Sequence, residues 1–147
     1  MTAIDVTALV RTQLLTVTAV TDLVNTRIYP DVLPQNPTLP AVAIEEISST
    51  SEHDLVGKIG MARSRVRIKA YHEYAAEANQ LRALCEAAWV ANGSTFRGNI
   101  TIPSSGGTWF VHDCMIETRG DGVDPPIDGS DEWRRYKFTD LIVLHKE

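Results

Sequence analysis

Cysteine is almost missing from this chain: two thiols, Cys85 and Cys114, stand far apart in 147 residues. With no Cys-x-x-Cys pair, the sequence offers neither a zinc framework nor a redox couple. The two read as buried thiols, free Cys being among the most buried residue types. Basic residues are the minority, Lys+Arg 14 against Asp+Glu 19, which gives a formal charge of −5 and a sequence pI of about 5.3. Proteins that coat nucleic acid displace counterions from phosphate with basic side chains, so the acidic balance argues against that role and against a membrane-surface role. Long apolar runs are lacking too. The longest, such as residues 87–91 and 141–144, fall far short of the ~18 residues a spanning helix needs, and residues 1–5 carry no charged-then-apolar leader. The expectation is a protein made and kept in the cytosol, with no membrane partner.

What is present is ordinary globular material. Hydrophobic residues make up 44% and charged residues 22%, which excludes disorder and collagen-like repetition. A chain of this size buries roughly 68–70% of its unfolded surface, so its core needs neither metal nor disulfide. No internal repeat and no dividing linker is evident, and residues 1–147 read as one domain.

Val6, Leu9, Val10 and Leu14 follow Asp5, a good N-cap, at helical spacing, and Thr18 can cap a shorter stretch with Ala19, Val20, Leu23 and Val24 that Asn25 ends. The texture then changes. Pro30, Pro34, Pro37 and Pro40 crowd residues 28–40, each removing a backbone donor and extending the residue before it. That segment is expected to be an extended surface arm, pinned by Ile28, Tyr29, Val32 and Leu33. A strand over 41–47 leads to a polar, glycine-containing loop at 48–60.

The next strand, 61–72, alternates Val66, Ile68 and Ala70 with Arg63, Arg65, Arg67 and Lys69, one apolar face and one basic one. Tyr74, Ala78, Leu81, Cys85, Ala88 and Trp89 give the best helical pattern, with Asn92-Gly93 as its stop. Strands are expected at 95–102, 108–118 and 133–145, with a loop at 119–131, and Tyr136, Phe138, Ile142 and Leu144 sharing a face of the last. The order predicts an α+β domain: a mainly antiparallel sheet with one long helix and the N-terminal helix packed on it, the crossover after Ile68 being able to add a parallel pair.

Chemistry has little to hold. His112-x-Cys114 puts two ligand types on one strand face, but His53, His72 and His145 lie in unrelated positions and zinc needs a second pair. The acidic loop around Asp121, Asp124, Asp128 and Asp131 lacks EF-hand spacing and contains Pro125 and Pro126. Ser104-Ser105-Gly106-Gly107 has no P-loop lysine. No Gly-x-Ser-x-Gly elbow exists, and Glu45 and Glu46 point to opposite sides of their strand. The basic stripe Arg63, Arg65, Arg67, Lys69 keeps two readings beside a solvated face: contact with phosphate, or ion pairs across the sheet or across a subunit boundary, the latter favoured by the acidic balance.

Residues 23–42, LVNTRIYPDVLPQNPTLPAV, ending an N-terminal helix and followed by a strand, a basic strand and an Ala-rich helix, resemble the tail completion or tail terminator proteins of long-tailed bacteriophages. The resemblance spans residues 5–92 well and the C-terminal strands by order alone; the acidic loop 119–131 has no place in its pattern. It implies a structural virion protein that forms a six-fold ring, caps the head-proximal end of the tail tube, ends tube polymerisation and offers a head-joining surface. Its implied partners are copies of itself, the major tail tube protein and a head completion or connector protein, with DNA passing through the lumen without specific binding. No enzyme activity, metal or cofactor comes with it, and it would be assembled in the host cytoplasm.

On that reading the subunit-interface candidates are Ile28, Tyr29, Pro30, Val32, Leu33 and Pro34 of the arm, with Arg63, Arg65, Arg67 and Lys69 facing acidic partners and not the channel. The loops 48–60 and 119–131 are candidates for opposite ring faces. The competing readings are another head-tail connector or neck protein and a small nucleic-acid-binding protein that uses the basic strand.

Overall fold

The computed structural model describes residues 5–34, 37–54, 57–103, 107–126 and 134–146. Asp5 caps α1 (Val6–Leu15) by accepting from the main-chain N–H of Thr7 at 3.1 Å and of Ala8 at 3.4 Å. Thr16 and Val17 break the chain before α2 (Thr18–Val24); Thr18 is its first helical residue and not its cap, a position held by Val17, whose side chain has no acceptor to offer. Asn25, at φ 53°, turns the chain into β1 (Ile28–Pro30).

β1 pairs in parallel with β2 (Ala41–Asp54), which returns antiparallel through β3 (Gly57–Tyr71). Helix α3 (Ala75–Ala87) follows, then a two-stranded ribbon of β4 (Val90–Ala91) and β5 (Ser94–Thr95). Asn92 and Gly93 form its turn, both at positive φ (52° and 78°), the hairpin geometry this dipeptide favours. The helix stop expected there comes earlier, at Ala87. β6 (Gly98–Ile102), β7 (Gly107–Asp124) and β8 (Arg134–Lys146) complete a curled six-stranded sheet in the order β1-β2-β3-β8-β7-β6.

This architecture corrects the expected fold class. The chain is mostly sheet, its strands β2, β3, β7 and β8 running for 14, 15, 18 and 13 residues. Its helices have only 10, 7 and 13, so no long helix defines the domain. The parallel pair lies at β1 and β2 and not after Ile68.

Two supposed loops caused the error. Most of 48–60 is strand, β2 and β3 pairing antiparallel as far as Asp54 and Gly57, and residues 55–56 are outside the described residues. Of the 119–131 loop, residues 119–124 extend β7 against β8 and 127–131 are outside the described residues. Asp and Gly are poor strand formers and Ser favours turns, yet here the neighbouring strand supplies the ladder bonds. Gly120 and Gly122 have a further reason: a Cβ on Gly120 would come within 2.8 Å of the Phe138 ring, and one on Gly122 would enter the Tyr136 ring.

The helices lie against one face of the sheet. Leu9, Val10 and Leu14 of α1 and Leu81, Cys85 and Trp89 of the α3 segment meet Val42, Ile44, Val66, Ile68, Leu141 and Val143 in the main core. On the opposite face a smaller cluster joins Leu33, Ala41, Ala43 and Tyr71, with Tyr29, Leu39 and Tyr136 packed against it. Among the described residues no helix is long and apolar enough to cross a membrane.

Candidate functional site

The helix-free face carries the basic residues, because β3 alternates and its apolar set faces the helices. Register then decides their partners. Arg67 lies opposite Asp140 of β8 and grips it twice: Nε donates to Oδ1 at 2.8 Å and Nη2 to Oδ2 at 3.1 Å. Arg65 Nη2 reaches the same Oδ2 at 3.2 Å and Glu117 Oε1 at 2.7 Å. Asp140 is fully buried, so its charge depends on these guanidiniums. The Asp140 hydrogen bond in turn raises the Arg67 pKa, against the cost of burial. The Arg67 guanidinium also sits 4.0 Å from the Phe138 ring centroid, a cation–π contact.

Lys69 is 3% exposed, its Nζ donating to the Asp31 carbonyl at 2.7 Å and lying 3.6 Å from Glu45 Oε2. That bond ties the basic strand to the proline-rich arm. Ile28 and Leu33 of the arm are buried, Ile28 in the main core and Leu33 in the smaller cluster. Tyr29 is half-buried and packs on the smaller cluster, while Pro30, Val32 and Pro34 are exposed, Val32 at 62%. Further ties come from Arg27 Nε to the Pro40 carbonyl at 3.0 Å and Arg134 Nη1 to the Pro34 carbonyl at 3.2 Å. Arg63 ends the stripe, exposed, beside a cleft of about 160 Å³ that it lines with Asp113, Met115, Ile142 and Leu144. The structure thus brings the arm and Lys69 together, and sets Arg65 and Arg67 among carboxylates of the same subunit.

Sequence reasoning missed those carboxylates. Asp140 has the parity of Tyr136, Phe138, Ile142 and Leu144 and so shares their face, a signal available in the pattern; Glu117 and Glu45 needed the register. A second ionic group was also missed. Glu86 of α3 accepts from Arg82 Nη1 at 2.5 Å and from Arg119 Nε at 3.0 Å, while Arg82 donates to Thr139 Oγ1 at 3.0 Å. The Arg119 bond, aided by Arg82, holds the Glu86 carboxyl below the usual carboxylate range against its burial.

His112 and Cys114 gather no metal set. A bulge between Val111 and Asp113 interrupts the strand there, His112 packs edge-on to Phe110, and the Cys114 thiol donates to the Trp89 carbonyl at 3.3 Å. Among the described residues no three His, Cys, Asp or Glu side chains are placed to hold a metal ion. Both thiols are free and buried, and burial pushes Cys85 up to about 12.

The family model for tail completion protein gp17 matches residues 8–106. Among solved structures, a chain of the virion of a native gene transfer agent particle superposes with a TM-score of 0.57 and 18% identity, covering 95% of this chain and 93% of that one. At that identity the likeness is one of fold. No curated protein matches the sequence significantly. The matched segment takes in α2, α3, the arm, the basic strand and β6, together with all but the first two residues of α1, and on it the chain belongs to the tail completion protein gp17 family, a structural component of the phage tail.

Proposed function

We propose that this protein forms a six-fold ring that caps the head-proximal end of the tail tube, halts its growth and gives a head completion or connector protein a surface to join. The family match over residues 8–106 carries the reading. A ring requires a heterologous interface, two different patches of one subunit that match. The arm suits one side of it: Ile28 and Leu33 anchor it, Val32, Pro30 and Pro34 face outward, and an arm ordered beforehand loses little freedom on association.

The ionic face supports the passage of DNA. Duplex phosphates recur about every 1.7 Å, and a lumen of unpaired arginines would hold them. Arg65, Arg67 and Lys69 instead contact Asp140, Glu117 and Glu45 inside the subunit. One ring face must fit the last tube ring while the other offers nothing to a further one.

Electron microscopy of the purified protein, alone and with tail tubes, tests this. A closed annulus seated on tube ends, and particles with overlong or headless tails when the protein is withheld, are the expected results. Normal tails with attached heads in its absence overturn the reading. Binding to portal-bearing heads and not to tubes would favour a neck connector.

A further inference from the structure

The proline-rich arm holds one apolar side chain out in water. The Val32 N–H donates to the Pro30 carbonyl at 2.8 Å and closes a three-residue turn around Asp31, at φ 62°, a class of turn that is rare and strained. Such strain persists where the surroundings hold it, and here three bonds do. The Asp31 N–H donates to the Ile44 carbonyl at 2.7 Å, the Asp31 carbonyl accepts from Lys69 Nζ at 2.7 Å, and the Pro34 carbonyl accepts from Arg134. Leu33 is buried against the helix-free face, while Asp31 and Val32 stay exposed between Pro30 and Pro34. The arm thus displays a valine with a carboxylate beside it.

The other face of the sheet has a cleft of about 310 Å³ at the same end. Arg135 and Lys137 alternate with Tyr136 and Phe138 of the helix-free face, so they and their partners Val123 and Asp121 belong to the helix side. Ala75 and Ala78 of α3 form the facing wall. Val123 is 42% exposed, and Tyr74, the residue before α3, 62%, an apolar surface of the kind that marks a contact. The charges around it are uneven. Lys137 Nζ engages Asp121 at 2.6 Å and Glu73 stands on the α3 side, whereas Arg135 is exposed and makes no ion pair among the described residues.

Level and facing suit a head-to-tail joint. One row of residues, Ala41, Tyr71, Tyr136 and Gly122, crosses the sheet. The arm's cluster takes in Ala41, Tyr71 and Tyr136 on one face, and the cleft opens beside Gly122 and Tyr136 on the other. Within one chain the sheet lies between them. Matching patches on a single face would pair copies face to face about a two-fold axis, but patches on opposite faces stack front to back, the heterologous contact that a ring repeats.

We infer that the cleft beside the start of α3 receives the arm of the next copy, Val32 entering between Ala75, Ala78 and Val123 while Asp31 meets Arg135. This rests on the ring reading and names its seam. Burial of Val32 supplies the attraction, the charge pair fixes the register, and an arm already bent and tied down loses little freedom on docking.

Linking between copies tests the seam. Copies with Val32→Cys, mixed with copies with Ala75→Cys and assembled on tail tubes, should join through a short bis-maleimide into covalent pairs, both native thiols being buried. A chain with both substitutions should give a ladder of linked copies up to the closed ring, and neither single variant should link alone. Val32→Asp and Arg135→Asp, both at exposed positions, should keep the wild-type circular dichroism and lose the assembled species, while Val32→Ile and Arg135→Lys assemble. Rings that form without the link, a Val32→Cys copy that links to the tube or connector protein in place of a copy, or Val32→Asp chains that assemble normally overturn the seam and leave the ring reading standing. A wild-type chain that never assembles, with or without tubes, overturns both.

Discussion

Arg67 and Asp140 face each other across β3 and β8 in a two-point grip, 2.8 and 3.1 Å, with the carboxylate fully buried and Arg65 bonded to the same oxygen from the next position on that face. The pair turns what reads in sequence as a basic patch into a neutralised seam of the sheet.

Removing Asp140 should therefore hurt twice. Breaking a buried pair costs roughly 3–5 kcal/mol, and Asp140→Asn should fall at the low end, about 3 kcal/mol in urea unfolding, because Arg65 and Arg67 keep some contact with water. The two guanidiniums then lack their shared counter-charge. Retention on a heparin or DNA column at low salt should rise, and fall steeply as salt is added.

Gly120 and Gly122 should resist the smallest enlargement. Gly122→Ala drives a methyl into the Tyr136 ring and Gly120→Ala one against Phe138. Overpacking of this kind costs roughly 1–3 kcal/mol, larger for Gly122. Thermal melts of the two variants measure it, and Tyr136→Ala added to Gly122→Ala should make the second change cheaper than it is alone.

Acid should weaken the α3 contact. Glu86 has its folded pKa depressed, by Arg119 first and Arg82 after. A depressed carboxylate contributes stability that is full above its unfolded value, about 4.3, and is lost as pH falls through the folded value. Unfolding midpoints measured from pH 6 downward should drop in that window, and Glu86→Gln should start lower at neutral pH and lose less on acidification.

The β4–β5 turn offers a local check. Gly93 sits at φ 78° with open space around its Cα, so Gly93→Ala meets only the left-handed backbone penalty, roughly 1–2 kcal/mol. A fall in melting temperature without a change in near-ultraviolet signal would show it.

Much of this was legible in the residues. Asp5 and the Val6, Leu9, Val10, Leu14 spacing give α1, and the alternation of Val66 and Ile68 with the arginines gives β3 and its two faces. The resemblance carried by residues 23–42 led to the family that the match over 8–106 establishes. What failed was length: the run from Ser48 to Ser51, like Gly120 and Gly122, looks like loop because serine favours turns and glycine has little strand preference, with Thr50 too little to outweigh its neighbours. Their strand state comes from partners far away in sequence, Ser64 and Arg63 in one case, Phe138 and Tyr136 in the other. The parity of Asp140 already placed it on the face of Tyr136 and Phe138, but its partners Arg65 and Arg67 come only from the strand laid beside it.

The curl of the six strands carries a last implication for the proposed ring. In such a ring the shape of the subunit would set the turn from one copy to its neighbour, and hence how many copies complete a circuit. A flatter strip would recruit too many, and one with a pitch would wind on as a fibre without end. Substitutions that alter the bend of β7 or β8, even far from any contact, would therefore change the stoichiometry, and the bore of the annulus with it.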